Sequence, residues 1–168
     1  MKTLLFFILA IIVTISGCKG NENPVNGNST KKEMTAKING TNWTSTTVQC
    51  RECINQPTPN ILLAGYYEKN GHVQSHILLS FPPVTKTPKT ITYPLNGDSS
   101  STFITQFQNF SEHQTYIGVS GQLTILTYEG IGGNIKGNFH IIFVDILNGV
   151  DTLNITNGEF NIPITKCY

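Results

Sequence analysis

Apolar and polar positions alternate with a period of two along most of this chain, and no long stretch keeps an apolar period of 3.6. Met34, Ala36 and Ile38 are interleaved with Thr35, Lys37 and Asn39, the pattern of a half-buried strand. Asn39-Gly40 then marks a turn, and Trp43 opens the next segment. Ile61 to Tyr67 and Ser75 to Phe81 are compact apolar runs separated by Gly71. Pro82-Pro83 ends the second run, because proline cannot donate to a ladder. Thr90 to Tyr93, Gln114 to Ser120, Gln122 to Tyr128 and Asn134 to Asp145 read as further strands. In the last of these Phe139, Ile141 and Phe143 share one face, and Asn148-Gly149 supplies a hairpin turn.

Two segments leave alternatives open. Thr102 to Phe110 places Phe103, Phe107 and Phe110 at a nearly helical spacing, so it reads as a short helix or an irregular strand. Near the C-terminus, Leu153 and Ile155 are apolar at odd positions, whereas Phe160, Ile162 and Ile164 are apolar at even ones. One extra residue in a β-bulge at Asn157-Gly158 would keep both sets on the core. The rival, a tight Asn-Gly hairpin, would have very short arms, and the bulge is favoured. Together the segments predict an all-β fold in residues 34–168. It is a single antiparallel β-sandwich or partly open β-barrel of about eight or nine strands.

Composition narrows the function classes. The 168 residues carry a formal charge of +1, and only 12% are charged. That excludes a basic nucleic-acid-binding surface as the default. The 39% hydrophobic content is enough for a globular core, and 21 Thr and 20 Ile favour strands.

The N-terminus has a different character. Lys2 precedes an apolar run, Leu4 to Ile15, broken only by Thr14. Twelve positions are too few to span a bilayer, which takes about 20, and the run matches the apolar core of an export signal. Ile15-Ser16-Gly17-Cys18 resembles the bacterial lipobox. That resemblance implies cleavage after residue 17 and acyl chains on Cys18; an ordinary secretory signal with an incidental cysteine is the alternative. Residues 19–33 hold a single apolar residue, Val25, and read as a flexible tether. The expectation is an outer-membrane protein held by lipid on Cys18, periplasmic or surface-exposed.

Ala36-Lys37-Ile38-Asn39-Gly40-Thr41-Asn42-Trp43 resembles the opening of a family of small Gram-negative bacterial lipoproteins of unknown function. Gly137-Asn138-Phe139 and Ile155-Thr156-Asn157-Gly158-Glu159-Phe160 resemble its closing segments. The resemblance implies an all-β lipoprotein domain and supplies no catalytic residue.

Candidate chemistry is sparse. Cys50, Cys53 and Cys167 are disulfide candidates in an exported protein. Cys50-Arg51-Glu52-Cys53 has the spacing of thioredoxin-like redox sites but no βαβ surroundings. Connectivity is open, with a lean to the local Cys50–Cys53 pair. His72 and His76 would share a face of a regular strand, a weak zinc pattern beside Gly71, and His140 reads as a rim residue. Glu129, Asp145, Asp151 and Glu159 lie near turns or strand ends with nothing to pair them. Trp43, Tyr66, Tyr67 and Tyr116 are candidate ligand-contact aromatics, with core packing as the alternative. No motif calls for catalysis, a cofactor or a metal. The expected function is non-catalytic binding of a ligand or partner, a carbohydrate or an envelope protein, by a monomer. The alternatives are thiol-disulfide chemistry at Cys50/Cys53 and a structural or adhesion module.

Overall fold

The computed structural model describes residues 32–53, 59–84, 90–96 and 103–167. Cys18, the apolar run before it and the tether up to residue 31 lie outside the described residues. The strands are β1 (Glu33–Ile38), β2 (Thr41–Thr44), β3 (Thr47–Cys53), β4 (Asn60–Lys69), β5 (His72–Phe81), β6 (Ile91–Leu95), β7 (Ile104–Asn109), β8 (Gln114–Tyr128), β9 (Asn134–Asp145) and β10 (Thr152–Lys166). The fold is all-β, as expected, with ten strands in one sheet.

Seven strands close into a barrel in the order β3-β4-β5-β7-β8-β9-β10, and β1, β2 and β6 lie outside the ring. Two long strands change partner along their length. On one edge of β8, residues 114–117 pair with β7 and residues 121–125 with β6. On one edge of β10, residues 155–161 pair with β1 and residues 164–166 run parallel to β3. The barrel is therefore flattened into two walls, β6-β8-β9-β10-β1-β2 and β3-β4-β5-β7. Side chains cross between the walls: Trp43 Nε1 on β2 donates to Ser75 Oγ on β5 at 2.9 Å. The rings of Phe81 on β5 and Tyr93 on β6 lie 5.2 Å apart. The space between the walls is filled by one cluster that includes Met34, Leu63, Leu79, Phe107, Phe143 and Ile162.

Bulges let the long strands bend. Asn157 takes φ 51°, and the register between β9 and β10 slips between Ile155 and Gly158. Ile155 and Phe160 are both buried, so the bulge reading holds. A Cβ on Gly158 would stand 2.6 Å from the Phe139 ring and from the Phe139 carbonyl oxygen. In β8 the slip falls between Gly118 and Ser120, followed by Gly121 at φ 139°. This makes Gln114–Ser120 and Gln122–Tyr128 one bent strand, where the alternation had suggested two.

One open alternative is resolved and two expectations are corrected. Residues 104–109 form a strand: Phe103, Thr105 and Phe107 all point inward, and the Thr105 hydroxyl donates to the Leu78 carbonyl at 2.8 Å. A threonine in a core position had disguised a period of two as a helical spacing. β3 was not expected, because its inward residues include Cys50 and the buried Glu52. β1 also begins at Glu33, one residue inside the stretch read as tether.

Candidate functional site

The outer face of the six-stranded wall is polar because every second residue along its strands points away from the core. Thr92, Thr124, Asn138, Glu159, Thr35 and Thr44 are joined by consecutive cross-strand pairings, one residue from each of the six strands. At the usual strand spacing the row spans about 24 Å. Gln122 pairs with His140 in a neighbouring row, and Lys136 pairs with Asn161. Some of these groups are held by their neighbours: Gln122 Nε2 donates to Thr124 Oγ1 at 3.1 Å, and the Thr92 and Thr124 hydroxyls lie 3.4 Å apart.

Two open hollows lie on this face. One, of about 310 Å³, is lined by Glu33, Thr35, Leu126, Lys136, Asn138, Glu159 and Asn161, with Gly137 and Phe160 at its floor. The other, of about 650 Å³, runs over the bulge between Asn138, His140, Ile142, Asn154, Thr156, Asn157 and Glu159. Asn138 and Glu159 line both, so the hollows form one band across β9 and β10. The bulge shapes the band: Thr156 and Asn157 stand opposite no single residue of β9. The band offers amides, hydroxyls, two carboxylates, an ammonium and an imidazole, all able to hydrogen-bond a polar ligand.

The aromatics expected to meet a ligand are dispersed. Trp43 and Tyr116 are in the core. Burial raises the Tyr116 phenol above its ordinary pKa, and the carboxylates of Asp145, Asp151 and Glu112 push the same way. Tyr66 is half-buried on the outside of β4, opposite His76, and Tyr67 is 37% exposed at the same end of that strand. None of the four lines either hollow. Asn138, His140 and Glu159 take their place. Glu159 was read as lying near a turn or strand end, and His140 as a rim residue. Their convergence depends on register across β9 and β10, which a single strand's alternation does not encode.

The cysteines correct the expected pairing. Cys53 is bonded to Cys167, with Cα atoms 4.9 Å apart and a sequence separation of 114. The bond continues the parallel register of β3 with β10, where Cys50 faces Ile164 and Glu52 faces Lys166. Cys50 is free and 1% exposed. Burial, reinforced by the Glu52 carboxylate, pushes its thiol up to about 12. A thiol held protonated and inaccessible is a poor nucleophile, so no Cys50/Cys53 dithiol is assembled.

The remaining polar candidates have structural partners. Glu129 accepts the Asn134 N–H at 2.8 Å, and Asp145 Oδ1 accepts the Leu147 N–H at 2.7 Å. Asp151 accepts the Asn148 amide at 2.7 Å. These carboxylates build turns. His76 lies between the rings of Tyr66 and Phe110, at 5.8 and 5.4 Å. Burial lowers its pKa to about 4. Among the described residues no group of three His, Cys, Asp or Glu side chains could hold a metal ion.

No family model, curated protein or solved structure matches the chain.

Proposed function

We propose that this chain is a lipid-anchored cell-envelope domain that binds an extended, hydroxyl-rich ligand, such as a polysaccharide strand, without chemically changing it. The observation that carries the reading is the placement of its hollows. They lie outside the barrel, across β9 and β10, while the interior is filled by side chains. A chain laid over the polar wall would meet donors and acceptors along about 24 Å. Mixed charge supports a neutral polar ligand: Lys136 and Lys37 share the face with Glu159. The anchor rests on the lipobox-like Ile15-Ser16-Gly17-Cys18. Two acyl chains there would hold the protein to a membrane firmly, since one chain binds only marginally.

The test is calorimetric titration with envelope polysaccharides and their fragments. We expect the double variant Asn138→Ala/Glu159→Ala to bind at least tenfold more weakly than the unaltered chain, with Tyr67→Ala unchanged. Absence of binding to every glycan tried, or equal loss in the Tyr67 variant, sinks the reading. Mass spectrometry of the native N-terminus tests the anchor independently, through the acyl groups expected on Cys18.

A further inference from the structure

The alternation that builds the barrel fails at three places: Ile61-Leu62-Leu63-Ala64, Ile77-Leu78-Leu79 and Ile141-Ile142-Phe143-Val144. In each the surplus apolar residue points outward. Register joins them into a row, Ala64–Leu78–Gln106–Ile117–Val144, crossing β4, β5, β7, β8 and β9. Towards β9 the row opens to solvent. Ile117 is 47% exposed and Ile142 43%, and Ile104, on β7 one step along from Gln106, is 71% exposed. The turn that follows β9 adds Leu147 at 84% and Val150 at 78%. Most of the large exposed apolar side chains of the described residues fall in this one region. Of these exposed residues only Ile142 also lines a hollow of the proposed binding face.

We propose that this surface is where two copies of the chain associate. Two features select a second copy as the occupant. First, Ile104, Ile117, Ile142, Leu147 and Val150 are all uncharged, so two copies that bring these side chains together bury no charge between them, and the carboxylate of Asp151 beside Val150 is left to water at the edge. Second, the exposed side chains leave on the order of 600 Å² of apolar surface in water. That is the upper end of what a monomer carries and near the ~800 Å² that each partner buries in a standard interface. The surface is also placed away from the N-terminal segment. β1 begins at Glu33, paired with Asn161 and so level with Lys136. Asp145, where the apolar turn starts, is nine residues further along β9, about 30 Å at the usual rise. The described residues therefore begin at the opposite end of the sheet from this turn.

Sedimentation equilibrium of the full chain in mild detergent, together with cross-linking in the cells that make it, tests the proposal. The unaltered chain is expected to pass from monomer to dimer in the micromolar range. Leu147→Asp and Ile117→Asp are each expected to weaken the dimer at least tenfold. Ile131→Asp should leave it unchanged, since Ile131 is 48% exposed but sits in the β8–β9 turn at the opposite end. Matching circular dichroism spectra establish that the variants fold. A monomer at every concentration with no cross-link in cells overturns the proposal, as does equal weakening by Ile131→Asp. If Leu147→Asp instead abolishes flotation with phosphatidylethanolamine vesicles and leaves the sedimentation unchanged, the occupant is a bilayer and the proposal is wrong.

Discussion

The two outer walls of the barrel share a backbone plan and a common core, yet their outward residues differ. On β10, on β1 and on β9 as far as His140 the outward positions include Asn138, His140, Glu159, Thr35 and Lys37; beyond His140 the outward side of β9 turns apolar, at Ile142 and Val144. On β4 and β5 the outward positions include Leu62, Ala64 and Leu78, while Gln74, His76 and Ser80 keep the rest of the outer side of β5 polar. Ala64 is 2% exposed although its parity points it away from the core. The inward half of each strand is constrained by the volume it must fill. The outward half is free, so its chemistry reports what the wall faces. A strand apolar on both faces reads as one covered on both faces. The polar outward stretch suits water or a polar ligand, and the exposed apolar stretch, which crosses from Ile104 on β7 to Ile117 on β8 and Ile142 on β9, suits a covering partner.

The largest expected effect comes from uncoupling the walls at their seam. β10 leaves the polar wall to run parallel to β3 for three register pairs, and the Cys53–Cys167 bond lies just past the last of them. Cys53→Ser, or reduction of the bond, frees a loop of more than a hundred residues in the unfolded chain. A loss of about 4–5 kcal/mol is expected from loop entropy, read by urea unfolding with and without reductant. Cys50→Ala should unfold at nearly the reductant-independent midpoint of the unaltered chain with its bond intact. If Cys53→Ser costs less than about 1 kcal/mol, the seam is held by its hydrogen bonds and packing, and the walls are less dependent on each other than the topology implies.

A smaller loss is expected at the bulge that shapes the polar wall. Gly158→Val must displace the Phe139 ring or its carbonyl, each 2.6 Å from the new Cβ. Overpacking of this kind costs about 3 kcal/mol, measurable as a shift of the same urea midpoint. Asn157, not Gly158, carries the positive φ at this site, so close approach is the reason for the glycine.

Much of the polar wall was legible in the sequence, and less of the apolar one. The odd-to-even switch between Ile155 and Phe160 exposed the bulge, because only a slip of one residue keeps both on the core. Asn39-Gly40 was equally legible: φ values of 48° and 84° make it the tight turn that joins β1 and β2. β7 was ambiguous because Thr105 occupies a core position by bonding its hydroxyl to the Leu78 carbonyl. β3 was missed because Glu52 is buried in the position where alternation calls for a hydrophobe. The disulfide was unreadable for a different reason: nearness of Cys53 to Cys167 follows from barrel closure, a long-range property, and a gap of two residues pointed to Cys50 instead. The hollows depend on register among β1, β9 and β10, so sequence showed Glu159 and His140 without placing them together.

On the apolar wall, His76 provides a pH-dependent probe. It lies between Tyr66 and Phe110, pairs in register with Tyr66 and Gln108, and its Nδ1 has no hydrogen-bond partner among the described residues. Burial holds its pKa at about 4, against 6.5 in the unfolded chain. Between those values the unfolded chain binds a proton that the folded one does not, so stability is full above about pH 6.5 and falls as the pH drops towards 4. The expected loss is about 3 kcal/mol. His76→Gln should remove that part of the acid sensitivity while leaving the general protonation of carboxylates. Identical pH profiles for the two proteins would show that the imidazole is more open to water than its position between two rings implies.

The smallest stability effect is expected on the polar wall. Asn138 and Glu159 face each other in register on the outside of β9 and β10. Their side chains fill no core volume, so replacing each with alanine should change the unfolding free energy by no more than about 0.5 kcal/mol. The same pair lines both hollows, so any ligand held there should lose affinity when stability does not change. That separation distinguishes a binding face from a merely solvated one. Leu147→Asp should be similarly neutral for folding, since its side chain is already in water, but it should act on self-association and leave glycan binding intact. Two neutral substitutions with non-overlapping losses would establish that the walls do different work. If both variants lose the same interaction, the two faces belong to one continuous surface, and the contrast in their chemistry has another origin.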